Sequence, residues 1–200
     1  MYYPQQFVRF MIALLLTSAA LAGGSQRLDA DLTIRGGSEY QQRLIRTAFT
    51  TRIPLTWRQS ANLAVQILAD RAMDAYIHSG SDAHVSGGDQ EDAIDGIFED
   101  DPPTITLRGT DDASDLPMTF AHELGHYYWQ KRLTGAQRSR YVEVYSKQKS
   151  SHHLVTDYAA TDVHEGFAEA FSYFLLARDV LRRRDPLSCR FLDKLFDGAA

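Results

Sequence analysis

Residues 118–130 read MTFAHELGHYYWQ, and this stretch decides how the rest of the chain is read. It holds His122, Glu123 and His126 in the order H-E-x-x-H. On a helix, residues four apart lie one turn above each other, so both imidazoles point the same way and can grip one metal ion. Glu123 sits beside them, where a carboxylate can take a proton from an attacking water. Phe120, Ala121, Leu124 and Tyr128 fall on the opposite side and anchor the helix in a core. Gly125 is the odd residue. Glycine inside a helix costs about 1 kcal/mol relative to Ala. Close approach of a second helix, bringing a further ligand, is a physical reason to keep it.

A catalytic zinc site that leaves a position open for water needs a third protein ligand. The extended pattern H-E-x-x-H-x-x-G-x-x-H fails, because Trp129 stands at the Gly position and Arg132 at the last His position. The alternative places a Glu on a second helix with another acid one turn later. Glu165 and Glu169, in VHEGFAEAFSYFLLAR (163–178), have that spacing. Glu165 then binds metal, and Glu169 accepts a hydrogen bond from the remote nitrogen of a ligand His, fixing its tautomer. His152, His153 and His164 are rival ligands. His164 ranks first among them but points about 100° away from Glu165 around the helix. Tyr158, seven residues before Glu165, offers a phenol to the oxyanion that forms when water attacks a peptide carbonyl. By composition alone such a tyrosine is more often a core residue.

The chain has 200 residues, 44% hydrophobic and 24% charged, which suits one domain with a sizeable core. Its net charge of −5 gives no reason to expect a nucleic-acid partner, and Arg182, Arg183 and Arg184 read as a solvated helix face. Near the N-terminus, Arg9 precedes the apolar run FMIALLLTSAALA (10–22). That run is shorter than the roughly 20 residues needed to cross a bilayer. With Ala20-Leu21-Ala22 at its end, it reads as a secretory signal cleaved after Ala22. The expectation is a secreted or periplasmic protein whose residues 23–200 form a single domain, with no stable membrane anchor. Cys189 is the one cysteine, so no intramolecular disulfide forms; it reads as a small buried hydrophobe.

Along the chain, residues 29–35 read as a first strand or an extended arm ending at Gly36-Gly37. Ser38 and Gln41 form a capping box that opens a helix over 39–51. Residues 63–69 read as a strand, followed by a helix-favouring stretch ADRAMDAY. Residues 78–96 read as a surface loop whose His78 and His84 face solvent. Its Asp89, Asp92 and Asp95 lack the spacing of a calcium loop. Strands over 96–98 and 104–108 follow. In the second, alternation puts Thr104, Thr106 and Arg108 on one face and Ile105 and Leu107 on the other. If that strand lies at a sheet edge, an extended peptide can pair along it. Asp115 and Pro117 are placed to start the helix of the opening stretch. A polar helix over 136–149, a loop over 150–162, the helix over 163–178 and a last helix around 187–196 complete the chain.

Taken jointly, HELGH (122–126), Tyr158 and HEGFAEAF (164–171) resemble the catalytic lobe of the anthrax-toxin lethal-factor-like metallopeptidases, a family that includes small secreted Pro-Pro endopeptidases. The resemblance covers roughly residues 95–178. It implies one zinc ion held by His122, His126 and Glu165, Glu123 as general base and Tyr158 assisting the oxyanion. It also suggests the supporting role for Glu169. The resulting expectation is an α+β, zincin-like fold, with a small sheet over the H-E-x-x-H helix and a helical C-terminal lobe. The expected activity is endopeptidase, on a protein or peptide substrate lying extended along 104–108. Other readings are a catalytically silent zinc-binding module that recognises peptides, and an aminopeptidase, which needs a site for the substrate's free amine.

Overall fold

The computed structural model describes residues 32–58, 61–79, 84–86, 94–110 and 113–198. The expected signal segment at 1–22, the start of the first expected strand, Asp89 and Asp92 lie outside them. The chain runs β1 (Leu32–Gly36), α1 (Glu39–Arg52), a single turn α2 (Leu55–Arg58), β2 (Leu63–Leu68), α3 (Asp70–His78), β3 (His84–Ser86), β4 (Gly96–Asp100) and β5 (Pro103–Arg108). The helical half follows, with α4 (Leu116–Tyr127), α5 (Gly135–Ser150), α6 (Val163–Leu176), α7 (Arg178–Arg184) and α8 (Pro186–Phe196). The architecture is α+β and zincin-like, a small sheet over a central helix with a helical C-terminal lobe.

Among the described residues, five strands form one mixed sheet in the order β1-β2-β5-β4-β3. The first two pairings are parallel and the last two antiparallel. Parallel neighbours need a crossover, and α1 supplies it between β1 and β2. Its start is the expected capping box, with Ser38 N–H donating to Gln41 Oε1 at 2.7 Å and Gln41 N–H to Ser38 Oγ at 3.2 Å. Leu63, Val65 and Ile67 of β2 and Ile105 and Leu107 of β5 face the main core, with Ile45 and Phe49 of α1 and Phe120 and Leu124 of α4. The other side of the sheet is covered by α3, whose Met73 packs with Ile94 and Ile97. This explains why Thr106, expected on the polar face, is fully buried.

Two expectations change here. Residues 104–108 belong to β5, which is third in a sheet of five, with β2 on one side and β4 on the other. Both of its backbone edges are used by those ladders, so no substrate strand can be added to it. Among the described residues, the outer strand on that side of the sheet is β3, whose Ser86 pairs with Gly96 of β4. It lies inside the stretch 78–96 expected to be loop throughout. The other change is at Asp115, which holds the first position before α4 but makes no side-chain capping bond; Pro117 is in the first turn as expected.

The central helix α4 is buried nearly all round, His122, Glu123 and His126 included. It continues as a π-type turn, Tyr128–Arg132. The helical lobe closes over it through an aromatic cluster. Tyr141 meets Phe167 and Phe191 edge-on, with ring centroids 5.0 and 5.2 Å apart, and Tyr128 meets Phe171 at 5.0 Å. Cys189 is buried here, and burial raises its thiol pKa, the opposite of what a thiolate nucleophile needs. Arg182, Arg183 and Arg184 are exposed on α7.

Candidate metal centre

Helical spacing brings the two imidazoles of α4 together. His122 Nε2 and His126 Nε2 lie 3.1 Å apart, and both rings are buried. The third group comes from α6. Asp162 caps that helix, accepting from the backbone N–H of His164 at 2.6 Å and of Glu165 at 3.1 Å. The cap fixes the first turn, and Glu165 projects from it toward α4. Its Oε2 is 3.0 Å from His122 Nε2 and its Oε1 is 3.5 Å from His126 Nε2.

What lets the helices meet is Gly125. A Cβ built there would lie 2.7 Å from the Cα of Ala168 on α6, well inside contact distance. The glycine that looks costly within one helix is thus the contact point between two.

The groups polarise one another strongly. Burial disfavours a charged His122, yet hydrogen bonds to Glu165 and Glu169 outweigh it and hold its pKa at about 10. Burial likewise opposes a charged Glu165, and its bonds to His122 and His126 outweigh that and bring its pKa down to about 2. The site is therefore built to keep a buried carboxylate ionised beside positive charge.

Does this set fit a zinc ion? The ligating atoms of His122, His126 and Glu165 all lie within 4.8 Å of one another. In a tetrahedron with bonds near 2.1 Å, ligand atoms stand about 3.4 Å apart. The spacings of 3.0, 3.1 and 3.5 Å are close to that value. Two nitrogens and one carboxylate also match the donor set of catalytic zinc sites that keep a position open. His122 Nδ1 lies 2.9 Å from Glu169 Oε1, so when that nitrogen carries the proton of a neutral ring, Nε2 keeps its lone pair toward the site. The residues fit the ion.

The other residues singled out by sequence fall into two groups. Glu123 is fully buried on α4, beneath the start of β4: a Cβ at Gly96 would sit 2.8 Å from its Oε1. Tyr158 opens a 3-10 turn, Tyr158–Ala160, and its ring centroid is 6.0 Å from that of His122. The rival histidines lie elsewhere. His164 packs its ring 5.2 Å from Trp129, and His152 and His153 are exposed. Trp129 is buried, and Arg132 donates to Thr56 O at 3.4 Å, so neither is near a ligand role.

Two residues at the site were not foreseen. Gly96 allows β4 to approach Glu123, and Thr156 donates its hydroxyl to Glu169 Oε2 at 2.6 Å. A hydroxyl three residues before Ala159 is a turn-capping signal, but nothing in the sequence aims it at Glu169.

No family model matches this sequence, and no curated protein does. Among solved structures, it is similar to the Pro-Pro endopeptidase PPEP-2 from Paenibacillus alvei, with a TM-score of 0.62 and 19% identity, covering 84% of this chain and 99% of that one. At that identity the likeness is one of fold, and this chain shares its architecture with a peptidase over nearly that peptidase's whole length.

Proposed function

We propose that this chain is a secreted zinc endopeptidase. The observation that carries the reading is the buried His122–His126–Glu165 cluster with the Glu123 carboxylate on the same helix. His122, His126 and Glu165 would hold the ion, and Glu169 orients His122 through Nδ1. Bound there, zinc would supply Lewis-acid chemistry and lower the pKa of water toward about 7. Glu123 accepts the proton of the water that attacks the scissile carbonyl and then delivers it to the leaving amine. Tyr158 donates its phenolic hydrogen to the oxyanion developing on that carbonyl. The deep burial of Glu123 excludes bulk water from the proton it carries.

The substrate is a peptide, and it does not pair along 104–108, since β5 is enclosed on both sides. The similar structure is named a Pro-Pro endopeptidase, so peptides containing Pro-Pro are the first to try. The apolar run 10–22 behind Arg9, read as a cleaved signal, supports export, with residues 23–200 as the mature domain.

The decisive test is cleavage of a peptide library, read by mass spectrometry, with zinc content measured alongside. Wild type should contain one zinc and cleave internal bonds of peptides with blocked amines. Glu123→Ala should keep the zinc and lose turnover by several orders of magnitude. Undiminished cleavage by Glu123→Ala would overturn the reading. Cleavage only of peptides with a free amine would make the enzyme an aminopeptidase instead.

A further inference from the structure

We propose that Thr156 is a positioning residue that couples the orientation of a metal-binding histidine to the turn carrying Tyr158. The inference rests on the zinc-peptidase reading above and assigns a part to a residue outside the metal-binding set.

A threonine hydroxyl has one hydrogen to donate and two lone pairs that accept. Thr156 uses both capacities. Its hydrogen goes to Glu169 Oε2 at 2.6 Å, a length typical of a hydroxyl bonded to a carboxylate. A lone pair accepts the backbone N–H of Ala159 at 3.0 Å. The other oxygen of the same carboxylate, Oε1, lies 2.9 Å from His122 Nδ1. A continuous chain of hydrogen bonds therefore runs from the Ala159 amide through Thr156 and Glu169 to His122.

Each end of that chain reaches a working group. At one end, His122 is fixed in rotation and tautomer by Glu169, and Glu169 is itself held by Thr156. Groups that orient ligand histidines typically change metal affinity or activity by about 10–100-fold when removed. At the other end, Ala159 is the middle residue of the turn Tyr158–Ala160. Pinning its amide fixes the backbone that aims the Tyr158 ring, 6.0 Å from the ring of His122. Both oxygens of Glu169 are engaged, so the carboxylate cannot rotate without breaking one of these bonds. Thr156, partly buried, thus ties two segments that meet only in the folded chain.

The test uses Thr156→Val, which keeps shape and removes the hydroxyl, and Thr156→Ser, which keeps the hydroxyl. Zinc affinity is measured by competition with a chromophoric chelator, independently of turnover. Thr156→Val should weaken zinc binding about tenfold, and Thr156→Ser should restore it. In a Glu169→Ala background, Thr156→Val should weaken zinc binding no further, because the carboxylate it acts through is gone. With zinc saturating, Thr156→Val should also lower kcat with KM unchanged, and this loss should vanish in a Tyr158→Phe background. Thr156→Ala replaces Thr156→Val if the valine variant does not fold.

Wild-type zinc affinity and kcat in a folded Thr156→Val protein would overturn the proposal, as would a full additional loss in the Glu169→Ala background. Failure of the zinc-peptidase reading has a different signature, in which His122→Ala binds zinc as tightly as wild type or Glu123→Ala still cleaves.

Discussion

Glu123 is fully buried, and the residue packed over it is a glycine. Any side chain at position 96 would begin 2.8 Å from Glu123 Oε1 and Cγ and from Thr119 Cγ2. Gly96→Ala should therefore turn the Glu123 carboxylate from its present direction. A displacement of about 1 Å at a reacting group can cost on the order of 100-fold in rate. The expected outcome is a drop in kcat of about 10–100-fold with zinc content unchanged, because its close contacts are Glu123 and Thr119 rather than the histidines. Steady-state kinetics with metal analysis on the same preparation checks it, and full activity would show that Glu123 tolerates the shift. Residues of this kind mark the limit of sequence reading. His122 with His126, and Glu165 with Glu169, were legible as pairs because helical spacing puts each pair on one face, and the family resemblance then joined the two pairs into one site. Gly96 and Thr156 were not, because their partners come from other elements and no periodicity records contact between a strand and a helix.

At the scale of elements, the contact between α4 and α6 governs whether the three proposed ligands converge. Gly125→Ala sets two effects against each other. Alanine favours the helix by about 1 kcal/mol over glycine. Its Cβ, however, would lie 2.7 Å from the Cα of Ala168, and backbone cannot swing aside as a side chain can. Overpacking of this kind costs about 1–3 kcal/mol, so the clash should prevail. The helices should separate and carry Glu165 away from His122 and His126. Gly125→Ala is therefore expected to melt earlier than wild type and bind zinc more weakly, measured by thermal denaturation and chelator competition. A more stable variant with unchanged zinc affinity would mean that α4 and α6 can slide without cost. The glycine was readable as a sign of close helix packing because its cost within one helix demands a reason. Strand order was not readable in the same way. Alternation in 104–108 separates Ile105 and Leu107 from Thr106, as found, but it is blind to α3 covering the second face and to β2 and β4 closing both edges. A strand's two faces are written in its own residues, whereas its neighbours are chosen by crossovers elsewhere in the chain.

For the molecule as a whole, the proposed metal centre joins the sheet-packed helix to the helical lobe, so its state of loading should show in global stability. Zinc at about 1,000 times its dissociation constant adds about 4 kcal/mol to the folded state. For a chain of this size each kcal/mol raises the melting temperature by roughly 2–4 °C. A chelator should therefore lower the melting temperature by about 10 °C, and the size of that effect should depend on pH in a defined direction. Without metal, His122 has a folded pKa of about 10 against an ordinary 6.5. Its contribution to stability is fully present below 6.5 and is lost as pH rises through 10. Glu165 is lowered to about 2 from 4.5, so its contribution is present above 4.5 and is lost as pH falls toward 2. The metal-free protein thus draws most from this pair between 4.5 and 6.5 and progressively less in alkali. Zinc binding must displace the His122 proton, so affinity rises with pH across the same range. The gap in melting temperature between zinc-loaded and chelated protein reports that affinity, so it should widen from about pH 6 to about pH 9. Calorimetry at the two pH values measures it directly. In a His122→Ala variant the gap should shrink and vary less with pH, since one of the protons that compete with the metal has gone with the ring. A gap in wild type that narrows in alkali would mean that zinc is held somewhere other than at His122.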